Sequence, residues 1–265
     1  NLSLATPAGE TGSMNGTSLT IKPGWNLIGS PYSFPVDLVV DQGQFYGPVA
    51  YGLSGESWSD VTAELRPWSG YALYNRTTGD QTVVIDPVSS TTGLLARQEV
   101  NTDGWVGNLE AQAGYFADRH NKFGQLTTAE DGVDHHDNPE IVAPEAYLSI
   151  TFVQDGKIGK FTSDMRSFNQ ELQVWEAHIV GQEINEPVTL NWSFPQPAEA
   201  NTEIVLLDNL SRKTMAMDEG QQLELGMISD RFPRKVHIVA GPTELVQAAL
   251  RDLLAAIPEK FTLYQ

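Results

Sequence analysis

Residues 105–115 read Trp-Val-Gly-Asn-Leu-Glu-Ala-Gln-Ala-Gly-Tyr, and this stretch decides the fold. Its odd positions are mostly apolar or small, whereas Asn, Glu and Gln occupy even positions between them. Successive side chains of a β-strand point to opposite faces of a sheet, so this pattern has one apolar face and one polar face. The stretch predicts a half-buried strand, with Leu109 facing a core and Glu110 facing solvent.

The same period of two recurs along residues 94–241. Leu148, Ile150 and Phe152 alternate with polar neighbours, and the segment from Val188 to Phe194 does the same. About eight such strands, each with one apolar face, favour two sheets packed face to face. The sequence therefore predicts an antiparallel β-sandwich over residues 94–241.

Shorter strand patterns separated by turn signals fill residues 20–88 and predict a small β module. Residues 1–19 are small and polar and are interpreted as a linker, as is the Ser/Thr/Gly-rich segment 89–93, where we place the domain boundary. The predicted fold is thus all-β, a small module followed by a larger sandwich.

Residues 242–265 hold the one exception, a C-terminal amphipathic helix that begins with Thr243 as its N-cap and ends before Pro258. Leucine, valine and alanine side chains form a single stripe along it. We expect this stripe to pack on the sandwich; a docking or oligomerisation helix is the alternative.

Composition limits the classes of partner. The 265 residues carry a formal net charge of -18, which disfavours binding to nucleic acid or anionic lipid, and they include no cysteine for disulfides or thiolate chemistry. The sequence has no apolar run close to the roughly 20 residues of a membrane span. The chain does not begin with a signal peptide, and its ends suggest an internal piece of a longer precursor.

Two segments carry a family resemblance. Residues 22–32, Lys-Pro-Gly-Trp-Asn-Leu-Ile-Gly-Ser-Pro-Tyr, with residues 65–71, Leu-Arg-Pro-Trp-Ser-Gly-Tyr, resemble a β module common near the C-termini of large secreted proteins of Bacteroidota-type bacteria. Residues 257–265 resemble the lead-in to a type A sorting domain of the type IX secretion system, and residues 118–152 are similar to the sandwich that follows such modules.

The resemblance implies an extracellular or cell-surface location and, as partners, the upstream domains of the same precursor. It implies no catalytic activity of this segment, since such modules accompany subtilisin-like proteases, other enzymes and adhesins. The residues agree with this expectation: Gly-x-Ser-x-Gly, His-Glu-x-x-His and phosphate-loop motifs are all missing from the sequence. We therefore predict no catalytic residue and no required cofactor.

An acidic loop spanning residues 126–145 contains six Asp or Glu residues and no Lys or Arg. Clustered carboxylate and amide oxygens suit Ca²⁺, which takes roughly 6–8 oxygen ligands. The predicted donors, including two residues just before the loop, are Asp118, Asn121, Asp131, Asp134 and Asp137. The alternative is a solvated acidic loop, or carboxylates that cap backbone amides in turns.

His135 and His136 form the one eye-catching pair among five histidines. Adjacent side chains on an extended chain point to opposite sides, which argues against a shared zinc or iron ion.

Aromatic residues near turns suggest a second kind of site. Trp58, Trp68 and Tyr71 are the predicted members of a sugar-stacking platform, whereas Trp25, Trp105 and Trp192 lie in alternating strands and are predicted core residues.

The predicted function is a non-catalytic structural or accessory stalk within a larger secreted or surface-attached protein. A polysaccharide- or surface-binding module attached to an upstream hydrolase is the alternative. An enzyme would require an unrecognised pair of carboxylates in a groove.

Overall fold

The computed structural model describes residues 3–5, 15–51, 58–87, 103–141, 147–154, 161–231 and 233–258. The predicted linker at residues 89–93, and residues 259–265 of the predicted lead-in, lie outside the described residues. The chain divides into two compact units, Asn1–Asn101 and Thr102–Gln265. Within the described ranges, no helix has the length and apolar character needed to cross a membrane.

The described residues of the two units form nineteen strands and one helix, and the all-β prediction is confirmed. The first unit contains β1 (Ser3–Ala5), β2 (Thr17–Ile21), β3 (Gly24–Gly29), β4 (Val36–Asp37), β5 (Phe45–Tyr51), β6 (Trp58–Val61), β7 (Glu64–Leu65), β8 (Gly70–Asn75) and β9 (Gln81–Ile85). The second contains β10 (Gly104–Ala113), β11 (Phe116–Leu126), β12 (Tyr147–Val153), β13 (Ser163–Arg166), β14 (Gln173–Gln182), β15 (Val188–Gln196), β16 (Glu203–Asp208), β17 (Lys213–Ala216), β18 (Gln222–Gly226), β19 (Arg234–Gly241) and α1 (Thr243–Ala256).

The first unit is a five-stranded sheet, in the order β1-β3-β8-β5-β6, with two-stranded ribbons β2-β9 and β4-β7. Residues predicted to be linker take part in it, because β1 pairs in parallel with β3 and β2 begins at Thr17. In β2 the buried Leu19 lies opposite the buried Val83 of β9. Ser18 and Thr20 lie on the exposed side of β2, so their polarity concealed a half-buried strand.

Trp25 is not a core residue, contrary to the prediction. Its side chain is half-buried, whereas Asn26 and Ile28 occupy the buried face of β3. Trp25 lies opposite Tyr74, which also pairs with Tyr46 of β5. The Trp25 ring contacts the ring of Tyr74 edge to face at a centroid distance of 5.1 Å and that of Tyr46 at 5.9 Å. The three rings form a cross-strand aromatic row.

The second unit is a sandwich of two five-stranded sheets, β13-β11-β10-β15-β18 and β12-β14-β19-β16-β17. All neighbours are antiparallel except β11 and β13, which are parallel. Trp105, Leu109 and Trp192 from the first sheet and Trp175 from the second are buried in the core between the sheets. Leu109 is fully buried and Glu110 is half-buried, so the alternation predicted for residues 105–115 has the correct phase.

The helix α1 packs on the outer face of the second sheet, where Val246 and Leu250 contact the cluster formed by Val205, Leu207 and Val239. This is the packing expected for its apolar stripe. Thr243 is the first helical residue and not the cap; Pro242 is the N-cap, and its carbonyl accepts the N–H of Val246. Proline suits a helix start because its φ is already close to the helical value.

Candidate functional site

The predicted calcium donors are held at separate places in the second unit. On β11, Asp118 Oδ2 accepts the N–H of Ile150 at 2.6 Å, and Asn121 Oδ1 accepts the hydroxyl of Thr162 at 3.1 Å. Both side chains are buried. They therefore bind neighbouring elements of the sandwich.

Two donors of the acidic loop, Asp131 and Asp137, contact residues in or next to β13. Asp131 Oδ1 accepts the hydroxyl of Ser167 at 2.6 Å. Thr162 and Ser167, the partners of Asn121 and Asp131, are five residues apart, which in an extended chain is about 16 Å. The structure brings Asp118 next to Asn121 and Asp134 next to Asp137 but does not gather all five predicted donors around one point.

Asp137 and Asp134 cap backbone amides, which was the alternative to a calcium loop. Asp137 is fully buried and accepts the N–H of Met165 at 2.9 Å, the N–H of Asp134 at 2.9 Å and Nε2 of Gln154 at 3.3 Å. Asp134 accepts the N–H of Glu130 at 2.7 Å and that of His136 at 2.6 Å. These bonds fold the loop and attach it to β13.

Burial makes two of these carboxyl groups hard to ionise. Burial raises the pKa of Asp137 to about 7, and the negative charges of Asp164 and Asp134 add to the increase. Burial also raises the pKa of Asp118 to about 6, although the hydrogen bond from the Ile150 amide opposes this change. Both groups lie inside the domain and contact its backbone.

His135 and His136 lie in a turn and not on the extended chain that was assumed for them. Their ring centroids are 3.9 Å apart with an angle of 39° between the planes. Together with Asp134 they form a cluster in which one possible ligand atom per residue lies within 4.8 Å of the others. Among the described residues this cluster is the group of three that could share a metal ion.

The sequence contained a signal for this turn. Asp134 accepts the N–H of the residue two positions later, the pattern of an Asx turn, and Asp137 returns a bond to the N–H of Asp134. Read as turn chemistry, the two aspartates that flank the histidines would have predicted that both rings fold to one side. His136 is further held by Thr128, whose Oγ1 lies 3.0 Å from Nε2.

The predicted aromatic platform does not assemble as expected. Tyr71 is only 3% exposed, because it shares the inward face of β8 with Leu73, and its hydroxyl oxygen accepts the N–H of Arg66 at 2.7 Å. Trp58 pairs through its backbone with Tyr51, and its side chain lies outside the described part of the structure. Only Trp68 presents a described exposed ring.

Trp68 is 96% exposed and has a φ of 62°. It follows Pro67 in the turn between β7 and β8. A positive φ strains a bulky L-residue and is common only for glycine, asparagine and aspartate. An exposed tryptophan held in such a backbone adds little to packing, and observed strain of this kind is a reason to consider function.

Comparison with protein-family models, with curated proteins and with solved structures found no match to this chain.

Proposed function

We propose that this chain is a non-catalytic accessory region of a larger secreted or surface-attached bacterial protein, located outside the cell. The resemblance of residues 22–32 and 257–265 supports the setting. One structural observation supports the non-catalytic role: each of the four aspartates buried in the described parts of the sandwich is bonded to the protein's own backbone or to an arginine.

Two of these aspartates form buried ion pairs. Asp164 accepts both Nε and Nη2 of Arg166, at 3.0 Å and 2.9 Å, and Asp208 accepts the same atoms of Arg234, at 2.7 Å and 2.6 Å. Bidentate pairs of this kind fix geometry as well as charge. The other two, Asp118 and Asp137, hold the backbone amides described above.

Asp137 is the residue nearest to the requirements of an acid–base enzyme, because its pKa of about 7 suits proton transfer. A catalytic acid must also reach a substrate, whereas the oxygens of Asp137 accept three hydrogen bonds from the protein and are fully buried. These contacts favour a structural role for its carboxyl group.

The experiment is a turnover assay of the purified chain on protein, ester and glycan substrates, with the Asp137→Asn variant alongside. We expect no turnover above buffer for either protein. Turnover by the wild type that disappears in the variant, while circular dichroism shows an intact fold, would establish an enzyme and overturn the proposal.

Polysaccharide binding is the second candidate, favoured by the exposed and strained Trp68. An exposed indole face stacks on sugar rings, and strain at an exposed position is expected where a side chain serves a ligand. In the same unit Phe34 is 44% exposed. It follows β3, whose last residue, Gly29, pairs with Gly70 next to the Trp68 turn.

This candidate is tested by electrophoresis of the chain through gels containing soluble polysaccharides. Binding should retard the wild type and should be lost in Trp68→Ala. Tyr115→Ala is the matched control, because Tyr115 is a 73% exposed aromatic in the other unit. Retardation that persists in the Trp68 variant would exclude this residue as the sugar contact.

A further inference from the structure

We propose that the turn Asp134-His135-His136 binds a divalent transition-metal ion, with Zn²⁺ as the ion of matching chemistry. This proposal is independent of the accessory role. It replaces the five-oxygen calcium site by a smaller one with two imidazoles and one carboxylate. Protein ligand sets of three residues that leave a coordination position for water or another ligand are common for Zn²⁺.

The geometry of the turn is close to that of a bound ion. The three ligand atoms lie within 4.8 Å of one another. Tetrahedral Zn²⁺, with bonds of about 2.0–2.1 Å, places its ligands about 3.3 Å apart. The widest separation exceeds this value by about 1.5 Å or less, a difference that rotation about the side-chain bonds of the three residues can close.

Two backbone amides hold the Asp134 carboxylate in place. Its Oδ2 accepts the N–H of Glu130 and its Oδ1 accepts the N–H of His136. The backbone therefore fixes the carboxylate in position before any ion arrives.

The hydroxyl of Thr128 holds the ring of His136 in place. Its Oγ1 lies 3.0 Å from Nε2 of the imidazole. When Nε2 carries the proton and donates it to Thr128, Nδ1 is unprotonated and can bind a metal. Outer hydrogen bonds of this type orient metal-binding histidines and select their tautomer.

The ligand set and the local charge agree with this choice of ion. Ca²⁺ takes oxygen ligands, whereas imidazole suits zinc, copper, iron and nickel. The acidic loop contributes six carboxyl groups and no Lys or Arg, which lowers the cost of bringing a divalent cation to its surface.

A second group of histidines provides an internal control. On the second sheet Glu176 lies 2.6 Å from His178 Nε2 and 3.5 Å from His237 Nε2, but the ammonium of Lys235 is 2.8 Å from the same carboxylate. A lysine ammonium already occupies the place of the cation there. We therefore expect that Zn²⁺ does not bind at His178.

The experiment uses the untagged full chain, titrated with ZnCl₂ and separately with CaCl₂, and monitored by calorimetry and by NMR of the histidine rings. We expect about one Zn²⁺ per chain in the wild type and in His178→Ala. We expect none in His135→Ala/His136→Ala, whose fold is verified by circular dichroism, and at least about tenfold weaker binding in Thr128→Val.

Ring signals of His135 and His136 should shift with zinc while that of His178 does not. Wild-type zinc binding that survives the double substitution, shifts confined to His178, or no zinc binding by the wild type would each overturn the proposal. Should the double variant fail to fold, the NMR shifts in the wild type decide the matter.

Discussion

The Oδ1 atom of Asp137 lies 2.9 Å from the backbone nitrogen of Met165 and joins the acidic loop to β13 inside the domain. Gly124 of β11 pairs with Met165. The same carboxylate also accepts the N–H of Asp134, so one side chain sets both the turn and its attachment.

Asp137→Ala should therefore lower the free energy of unfolding by about 3 kcal/mol, because it leaves two backbone N–H groups without their acceptor. Asp131→Ala is the matched control and should cost under about 1 kcal/mol, since Asp131 is exposed and bonds mainly to the Ser167 hydroxyl. Urea unfolding of the three proteins measures both values. Equal losses would show that Asp137 is not the principal attachment of the loop.

Asp118 predicts a pH dependence. Its pKa is raised by burial to about 6 in the folded chain, against about 3.9 when unfolded. Between about pH 4 and pH 6 the folded state therefore holds a proton that the unfolded state has lost. The contribution of Asp118 to the free energy of unfolding is largest below about pH 4 and decreases as the pH rises to about 6.

The comparison is with Asp118→Asn, which keeps an oxygen for the Ile150 amide but does not titrate in this range. The stability of the wild type relative to this variant should fall between about pH 4 and pH 6 and remain constant above. Urea unfolding at a series of pH values checks it. A difference that is constant across the range, or that grows with pH, would contradict the raised pKa.

The alternation of apolar and polar residues predicted the strands of the sandwich well where only one face of a strand is buried, as in β10. It was less informative for β16, whose Leu206 enters the core while Val205 and Leu207 contact the helix. Both faces of this strand are buried, so its pattern is a continuous apolar run. The sequence also could not reveal β1, since only its pairing with β3 makes that short segment a strand.

In the candidate site, too, local contacts could be predicted from the sequence and long-range contacts could not. The turn around His135 depends on bonds between residues two to four positions apart, and its signal was present in Asp134 and Asp137. The separation of the calcium donors depends on Thr162 and Ser167, which are 41 and 36 positions from Asn121 and Asp131. Contacts of that range follow from the strand order, which the residues of the loop do not encode.

The phase of β10 can be tested with adjacent substitutions. Leu109→Asp would place an unpaired charge in the core and should destabilise the chain by at least about 3 kcal/mol. Glu110→Lys, on the half-buried face, should change stability by under about 0.5 kcal/mol. Thermal unfolding of the two variants provides the comparison. Similar effects would mean that the two faces are not distinct.

Trp68 predicts an increase in stability. Asparagine tolerates a positive φ better than tryptophan, and the replaced ring is almost fully exposed. Trp68→Asn should therefore raise the free energy of unfolding of the first unit by about 0.5–1 kcal/mol, whereas β-branched Trp68→Val should lower it. Chemical unfolding followed by far-UV circular dichroism measures the change. Destabilisation by asparagine would indicate that the ring makes a packing contribution.

Arg212 compensates for a missing charge at the end of the helix. The last turn of α1 has no basic residue, but Arg212, between β16 and β17, donates Nη2 to the carbonyl of Leu254 at 2.9 Å and Nη1 to that of Ile257 at 2.6 Å. A cation at a helix C-terminus satisfies free carbonyls and interacts favourably with the helix dipole.

Arg212→Ala should lower the free energy of unfolding by about 1–2 kcal/mol and speed amide hydrogen exchange in the last turn of α1. Arg212→Lys should recover only part of the loss, because an ammonium cannot reproduce the two-pronged contact of a guanidinium. Arg251→Ala is the control: this exposed arginine lies on the helix itself, and its removal should leave both quantities nearly unchanged. Faster exchange spread along all of α1 in Arg212→Ala would mean that the arginine holds the whole helix on β16 and β19. Exchange equal to that of Arg251→Ala would mean that the apolar contacts of Leu253, Leu254 and Ile257 hold the helix end without the arginine.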